Sequence, residues 1–223
     1  MNENAPIVLG IGGAIRPGSM TEIVLRAALA RVAARGVRTR LIAGPDLEMP
    51  AYDPSRAGRA PKADRFVRAL QEADGIVLAS PAYHGSVSGL LKNAIDYAED
   101  LREDRRPYFS GRPVGHIVCA DGVQALGSTL ATLRSVTHAL RGWPTPFALL
   151  VRGSERPFDS EGRCVDAKID AGLEVMAEDI VGFVDRMRAP VSGPVSGPAS
   201  MRVPEAVAES LPAQLVAPDA PSS

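Results

Sequence analysis

Five short runs of apolar residues recur along the chain, at Ile7–Ile11, Thr39–Ala43, Ile76–Ser80, Val114–Cys119 and Phe147–Val151. They are continuous rather than alternating, the pattern of strands covered on both faces of a sheet. Between them apolar positions fall at helical spacing. Thr21–Arg35 carries Val24, Leu25, Ala28, Leu29 and Val32 on one stripe and stops at Gly36, a residue suited to a helix C-terminus. Residues 62–73, 88–99, 127–141 and Val165–Arg188 read the same way. Strands that alternate with helices imply parallel pairing through right-handed crossovers. The expected fold is therefore a doubly wound α/β sandwich with five strands in the order 2-1-3-4-5, which suits this length better than a six-stranded dinucleotide fold.

The pattern changes after Arg188. Residues 189–223 hold seven of the 19 prolines, no aromatic residue and the near-repeat VSGP-VSGP at 191–198. Such a segment buries too little apolar surface to offset chain ordering, so a folded domain over 1–188 followed by a disordered tail is expected. With 25 basic and 26 acidic side chains the formal charge is −1, which gives no field to recruit nucleic acid or anionic lipid. No apolar run approaches the ~20 residues of a spanning helix, and the N-terminal segment lacks a secretory pattern. No membrane role is expected, and the expected location is the cytoplasm. Two cysteines, Cys119 and Cys164, are too few for a disulfide framework or a four-ligand zinc site, so no metal is expected.

In an open parallel sheet, ligands sit beyond the carboxyl ends of the strands where the strand order reverses. That rule selects the loops after the first, third and fourth strands. The first runs Gly12-Gly13-Ala14-Ile15-Arg16-Pro17-Gly18-Ser19-Met20-Thr21. Its glycines admit close backbone approach, Ser19 and Thr21 carry hydroxyls, Arg16 carries a fork of donors, and a helix N-terminus follows. These are the parts of a phosphate site; a plain turn capped by Ser19 or Thr21 is the alternative. Neither GxGxxG nor the lysine-bearing triphosphate loop is present. The second loop, Ser80-Pro81-Ala82-Tyr83-His84-Gly85-Ser86-Val87-Ser88-Gly89, suits a planar heterocycle. Its alternative is a strand ended by Pro81, a helix capped by Ser88 and a surface His84.

Two segments, G-A-I-R-P-G-S-M-T at 13–21 and S-P-A-Y-H-G-S-V-S-G-L-L-K-N-A-I-D at 80–96, resemble those of the NADPH-dependent FMN reductases of flavodoxin-like fold, a family that includes quinone, azo and chromate reductases. The likeness covers about residues 5–188. It implies a bound FMN whose phosphate meets Arg16, Ser19 and Thr21 with the backbone at Gly13 and Ala14. It further implies that Pro81, Ala82, Tyr83, His84, Gly85 and Ser86 line the isoalloxazine, with Asp121 and Gly122 at its pyrimidine end. Ala14 departs from the serine common in the family, and the loop from Cys119 to Gly127 is poorer in glycine. A homodimer, or a dimer of dimers, with the flavin at the subunit interface is implied too. The helix over 88–99 is expected to expose Tyr97 and Leu101 beyond its core stripe.

The chemistry implied belongs to the flavin, so no catalytic side chain is expected. NADPH or NADH would stack near N5, give its hydride and leave, and a quinone, flavin or similar small acceptor would follow in ping-pong order. His116 and His138 read as structural. Arg16, Arg102, Arg105, Arg106 and Arg112 are candidates for a nucleotide 2′-phosphate, and the loops 44–61 and 101–112 for the acceptor pocket. Competing readings are a flavodoxin-like electron carrier, a reductase supplying reduced flavin to a partner monooxygenase, and a non-flavin binding module. The neutral core and Arg16 speak against the carrier, whose surfaces are usually strongly acidic.

Overall fold

The computed structural model describes residues 5–56 and 58–189, so the expected tail lies, past Ala189, outside the described residues. The elements are β1 (Ile7–Gly12), α1 (Met20–Ala34), β2 (Arg38–Ala43), α2 (Pro61–Glu72), β3 (Gly75–Tyr83), β4 (Ser86–Val87), α3 (Gly89–Asp96), β5 (Pro113–Cys119), α4 (Val123–Ala139), β6 (Trp143–Val151) and α5 (Ala167–Arg188). Five strands pair in parallel in the order β2-β1-β3-β5-β6. The two-residue β4 folds back on the end of β3. Leaving β4 aside, this is the flavodoxin-like order expected from the alternation of strands and helices.

Side-chain alternation on the central strands assigns the helices to layers. Leu9, Ile11, Ile76, Leu78 and Val118 point to one face, where they pack with Phe66 and Leu70 of α2, Leu91 of α3 and Leu133 of α4. Val8, Val77, Ala79 and Ile117 point to the other, against Val24 and Leu25 of α1 and Leu173, Met176 and Ile180 of α5. Each fully buried Leu, Ile or Phe contributes about 1.5–3 kcal/mol relative to exposure. Gly10 permits α1 to sit this close, since a Cβ there would lie 2.7 Å from Leu29 Cδ1.

Both-face burial holds for β1, β3 and β5 and fails for β2 and β6, whose burial is interrupted because they are the outermost strands. β6 begins at Trp143, before the apolar run, and passes through Pro144 and Pro146. Proline is tolerated in an outermost strand because its missing N–H is not needed there. The Trp143 N–H donates inward to Arg112 O at 2.9 Å, so by alternation the Pro144 nitrogen faces the outer rim. The helix expected at 127–141 starts four residues earlier, with Gly122 as its N-cap residue.

The helix expected over 88–99 ends at Asp96 and tightens into a 3₁₀ turn, Tyr97–Leu101. Contrary to the expectation, Tyr97 and Leu101 are buried, at 3% and 4% exposure. The loop before α2 covers the tyrosine: the Tyr97 hydroxyl donates to Pro50 O at 2.9 Å. Asn93 holds the same loop, accepting from Tyr52 N at 2.9 Å and donating to Pro50 O at 3.0 Å. Arg59 pairs with Asp100 through both Nε and Nη2 at 2.7 Å. Pro50, Tyr52 and Arg59 thus fasten the loop 44–61 to α3 and the turn that follows it.

Candidate active site

Beyond the carboxyl ends of β1, β3 and β5 lies a crevice of about 230 Å³, lined by Ala14, Ile15, Arg16, Ser19, Met20, Thr21, Pro81, Tyr83, Cys119, Ala120, Asp121 and Gly153. A larger groove of about 450 Å³ runs between β2 and α2, away from the reversal of strand order. The crevice joins all three loops that the sequence singled out, after the first, third and fourth strands.

One wall is the loop from β1 into α1. Ser19 caps α1, its Oγ accepting from Glu22 N at 3.3 Å, and the Glu22 carboxylate accepts from Gly18 N at 3.0 Å. Gly18, Ser19 and Glu22 make a capping box displaced by one position. The N–H groups of Met20 and Thr21, in the first turn, have no intrahelical acceptor. The Arg16 side chain is exposed, and its guanidinium makes no hydrogen bond or ion pair among the described residues. The loop therefore presents a guanidinium, a hydroxyl at Thr21 and the positive end of a 15-residue helix.

The facing wall is the end of β3. Pro81 is buried and Tyr83 is 56% exposed at the mouth, with Ile15 at 48% across from it. Tyr83 pairs with Ser86, and the two residues between them, His84 and Gly85, have φ of 51° and 80°. Two positive φ values in a two-residue connection are the signature of a type I′ hairpin, which favours Asn-Gly. The turn thus places a conformational demand on His84 that its chemistry does not enter. His84→Asn should leave the melting temperature within the error of the measurement. His84→Val, β-branched in the left-handed region, should cost about 1–2 kcal/mol in thermal denaturation.

The floor is the end of β5. Burial pushes the Cys119 thiol up to about 12, against a weaker pull from its hydrogen bond with Thr21, so it is a neutral wall group. Asp121 accepts from Ser154 N at 2.8 Å, and that bond holds its carboxyl below the usual range. Arg152 Nε donates to Asp121 O at 3.3 Å. Asp121 is therefore both part of the rim and the staple that brings the loop after β6 to the crevice.

Of the thirteen residues expected at the cofactor, Ala14, Arg16, Ser19, Thr21, Pro81, Tyr83 and Asp121 line the crevice. Gly13 sits behind its wall, Gly122 at the start of α4, and Ala82, His84, Gly85 and Ser86 in the hairpin above it. Five further residues line it: Ile15 and Met20 from the first loop, Cys119 and Ala120 from the end of β5, and Gly153. Gly153 belongs to the loop after β6, whose contact depends on the Asp121 staple and leaves no local signal.

The arginines 102–112 require a correction. Their loop leads into β5, so it lies at the amino ends of the strands, the pole opposite the crevice. Arg112 is fully buried and donates to Ala73 O at 2.8 Å, Tyr108 O at 2.6 Å and Gln71 O at 3.1 Å. Arg106 pairs with Asp74, and Arg102 with Glu99 and Glu103. Arg106 and Arg112 thus close the carboxyl end of α2, and Arg102 pairs within its own turn, all away from the crevice. His116, buried in β5 against Thr137 Oγ1 at 2.9 Å, is structural as expected.

Comparison with known proteins gives the chain's relatives. An NAD(P)H-dependent FMN reductase of Pseudomonas aeruginosa is 29% identical over 182 residues, 81% of this chain and 96% of the relative. An FMN-dependent NADPH-azoreductase of Staphylococcus aureus is 29% identical over 147 residues, 62% of this chain and 74% of the relative. Among solved structures, the flavoenzyme NAD(P)H:(acceptor) oxidoreductase FerB of Paracoccus denitrificans superposes with a TM-score of 0.61 at 21% identity, over 82% of this chain and 99% of that one, which is a likeness of fold. Residues 6–154, which hold both crevice walls and the β5 floor, match the family of NADPH-dependent FMN reductases, and the chain belongs to that family.

Proposed function

We propose that the crevice binds FMN and that the protein is an NAD(P)H-dependent reductase of quinones, flavins or similar small acceptors. The observation that carries this reading is the meeting of Arg16 and Thr21 with Pro81 and Tyr83 across one crevice at the reversal of strand order. The donor set fits the group: a cation, a hydroxyl and a helix N-terminus for a phosphate, and an apolar floor with an aromatic rim for a ring. At about 230 Å³ the crevice is smaller than the ~300 Å³ of the smallest common ligand pockets, so the Tyr83–Ser86 hairpin above it would have to supply part of the ring's surroundings.

Bound FMN would supply the two-electron chemistry, which leaves the side chains the tasks of binding and orientation. Arg16 and the first turn of α1 hold the phosphate, with Gly13, Ala14 and Ser19 shaping the loop around it. Pro81, Ala82, Tyr83, His84, Gly85 and Ser86 would border the ring, with Asp121 and Gly122 at its pyrimidine end. The exposed Ile15 and Tyr83 leave one apolar approach, which nicotinamide and acceptor occupy in turn, and a second copy of the chain in a homodimer would border it.

Purified protein should show a flavin band, or acquire one when FMN is supplied, and anaerobic NADPH should bleach it. A band stable to NADPH and NADH indicates an electron carrier, and no uptake of FMN overturns the reading. Turnover of free FMN or FAD as the acceptor would identify a supplier of reduced flavin to a monooxygenase. Arg16→Ala removes a charge-assisted contact of about 1.5–3 kcal/mol, so its FMN dissociation constant should rise roughly 10- to 100-fold with the melting temperature of the flavin-free protein unchanged. Unaltered affinity would remove Arg16 from the site.

A further inference from the structure

The ladder between β1 and β3 ends at Gly12 and Ala79, and past it the two walls of the crevice must be held together by other bonds. Gly13 is gripped from both sides. Its N–H donates to Ala79 O at 2.8 Å, and its carbonyl accepts from the Ser88 hydroxyl at 2.6 Å. The same Ser88 Oγ accepts from Leu91 N at 3.1 Å as the N-cap of α3. Ser88 N donates to Ser80 Oγ at 3.1 Å, and that hydroxyl donates to Pro81 O at 2.8 Å. Ser80 and Ser88 are 0% and 2% exposed, so this chain of bonds works without competition from water. Packing agrees: a Cβ on Gly13 would lie 2.7 Å from Ser88 Oγ and 2.6 Å from Leu91 Cβ, so the first loop already sits against the start of α3 as closely as glycine allows.

Capping a helix uses only a lone pair of the Ser88 oxygen. The hydroxyl proton is not needed for that, and it is donated to Gly13 O, behind the wall that the first loop forms. We infer that Ser88 is a positioning residue for the flavin site: its proton, donated to Gly13 O, fixes the phosphate-binding loop against the ring-binding loop so that both engage one FMN. The inference rests on the FMN reading above.

The test is FMN titration of the full chain, followed by flavin fluorescence, for the unaltered protein, Ser88→Ala, Ser88→Thr and Ile180→Val. Ile180 is buried against α5's face of the sheet and touches neither wall, so its variant controls for lost stability alone. In Ser88→Ala the dissociation constant should rise about tenfold, with kcat at saturating FMN within about twofold of the unaltered protein. Ser88→Thr, which keeps both the cap and the proton, should restore affinity to within about twofold. Ile180→Val should not change it. The inference is overturned if Ser88→Ala binds as the unaltered protein does, if Ser88→Thr fails to restore binding, or if Ile180→Val weakens FMN equally. Failure of the unaltered protein to bind FMN would instead overturn the functional reading and the inference with it.

Discussion

Arg112→Ala should lower the unfolding free energy by about 3–4 kcal/mol, a large share of the ~5–15 kcal/mol of a typical domain. Burial, with the nearby Arg106 charge, pulls this guanidinium down to about 10, so it is still charged at neutral pH. It is stabilised by carbonyls rather than by a directly bonded carboxylate. Removing it leaves Tyr108 O without the 2.6 Å donor and weakens the closure of α2 at Gln71 O and Ala73 O, which Arg106 still reaches at 3.1 and 3.0 Å. The vacated volume adds a cavity. Arg112→Lys should recover less than half of the loss, because one ammonium cannot span three carbonyls in the fork geometry. Urea denaturation decides the matter, and a loss below about 1 kcal/mol would mean that water replaces the guanidinium freely.

The second large effect is acid sensitivity. Burial, with Arg134 and His138 adding to it, lowers His116 from 6.5 to about 3. Its Nδ1 has no partner among the described residues, and Nε2 meets Thr137 Oγ1. The folded pKa lies below the unfolded one, so the unfolded chain takes up the proton first. Stability present above pH 6.5 is therefore lost as the pH falls toward 3. At pH 4 the loss relative to pH 7 should be about 3 kcal/mol from this side chain. His116→Leu should remove that portion of the pH dependence. Parallel loss in the variant and the unaltered protein would assign the acid sensitivity to carboxylates instead.

How much of this was legible in the chain depended on whether the decisive contact was local. The runs at β1, β3 and β5 declared themselves because both faces are covered, and the strand order followed from alternation. β6 hid its first half because Pro144 and Pro146 argue against a strand unless the strand is known to be outermost. The crevice walls were readable at Arg16, Thr21, Pro81 and Tyr83, since glycine, hydroxyl and aromatic residues cluster there at known topological positions. Tyr97 was misjudged because the loop that covers it is more than 40 residues away in sequence. The arginines of the loop before β5 were misjudged because composition does not say which pole a loop occupies. Direction along the sheet does: a loop that leads into a parallel strand cannot share the pole of loops that leave one.

The two rims of the sheet differ in a way that bears on colloidal behaviour. At β6 the proline ring at position 144 deletes an outward amide, so an incoming strand from another molecule finds an interrupted ladder whatever the solvent. At β2 the obstacle is charge, with Arg38 and Arg40 on the strand and the Arg40–Glu72 pair about half exposed. Concentrated salt weakens charge and leaves a pyrrolidine ring untouched. Self-association by strand addition should therefore begin at the β2 rim, and it should be the kind that desalting reverses.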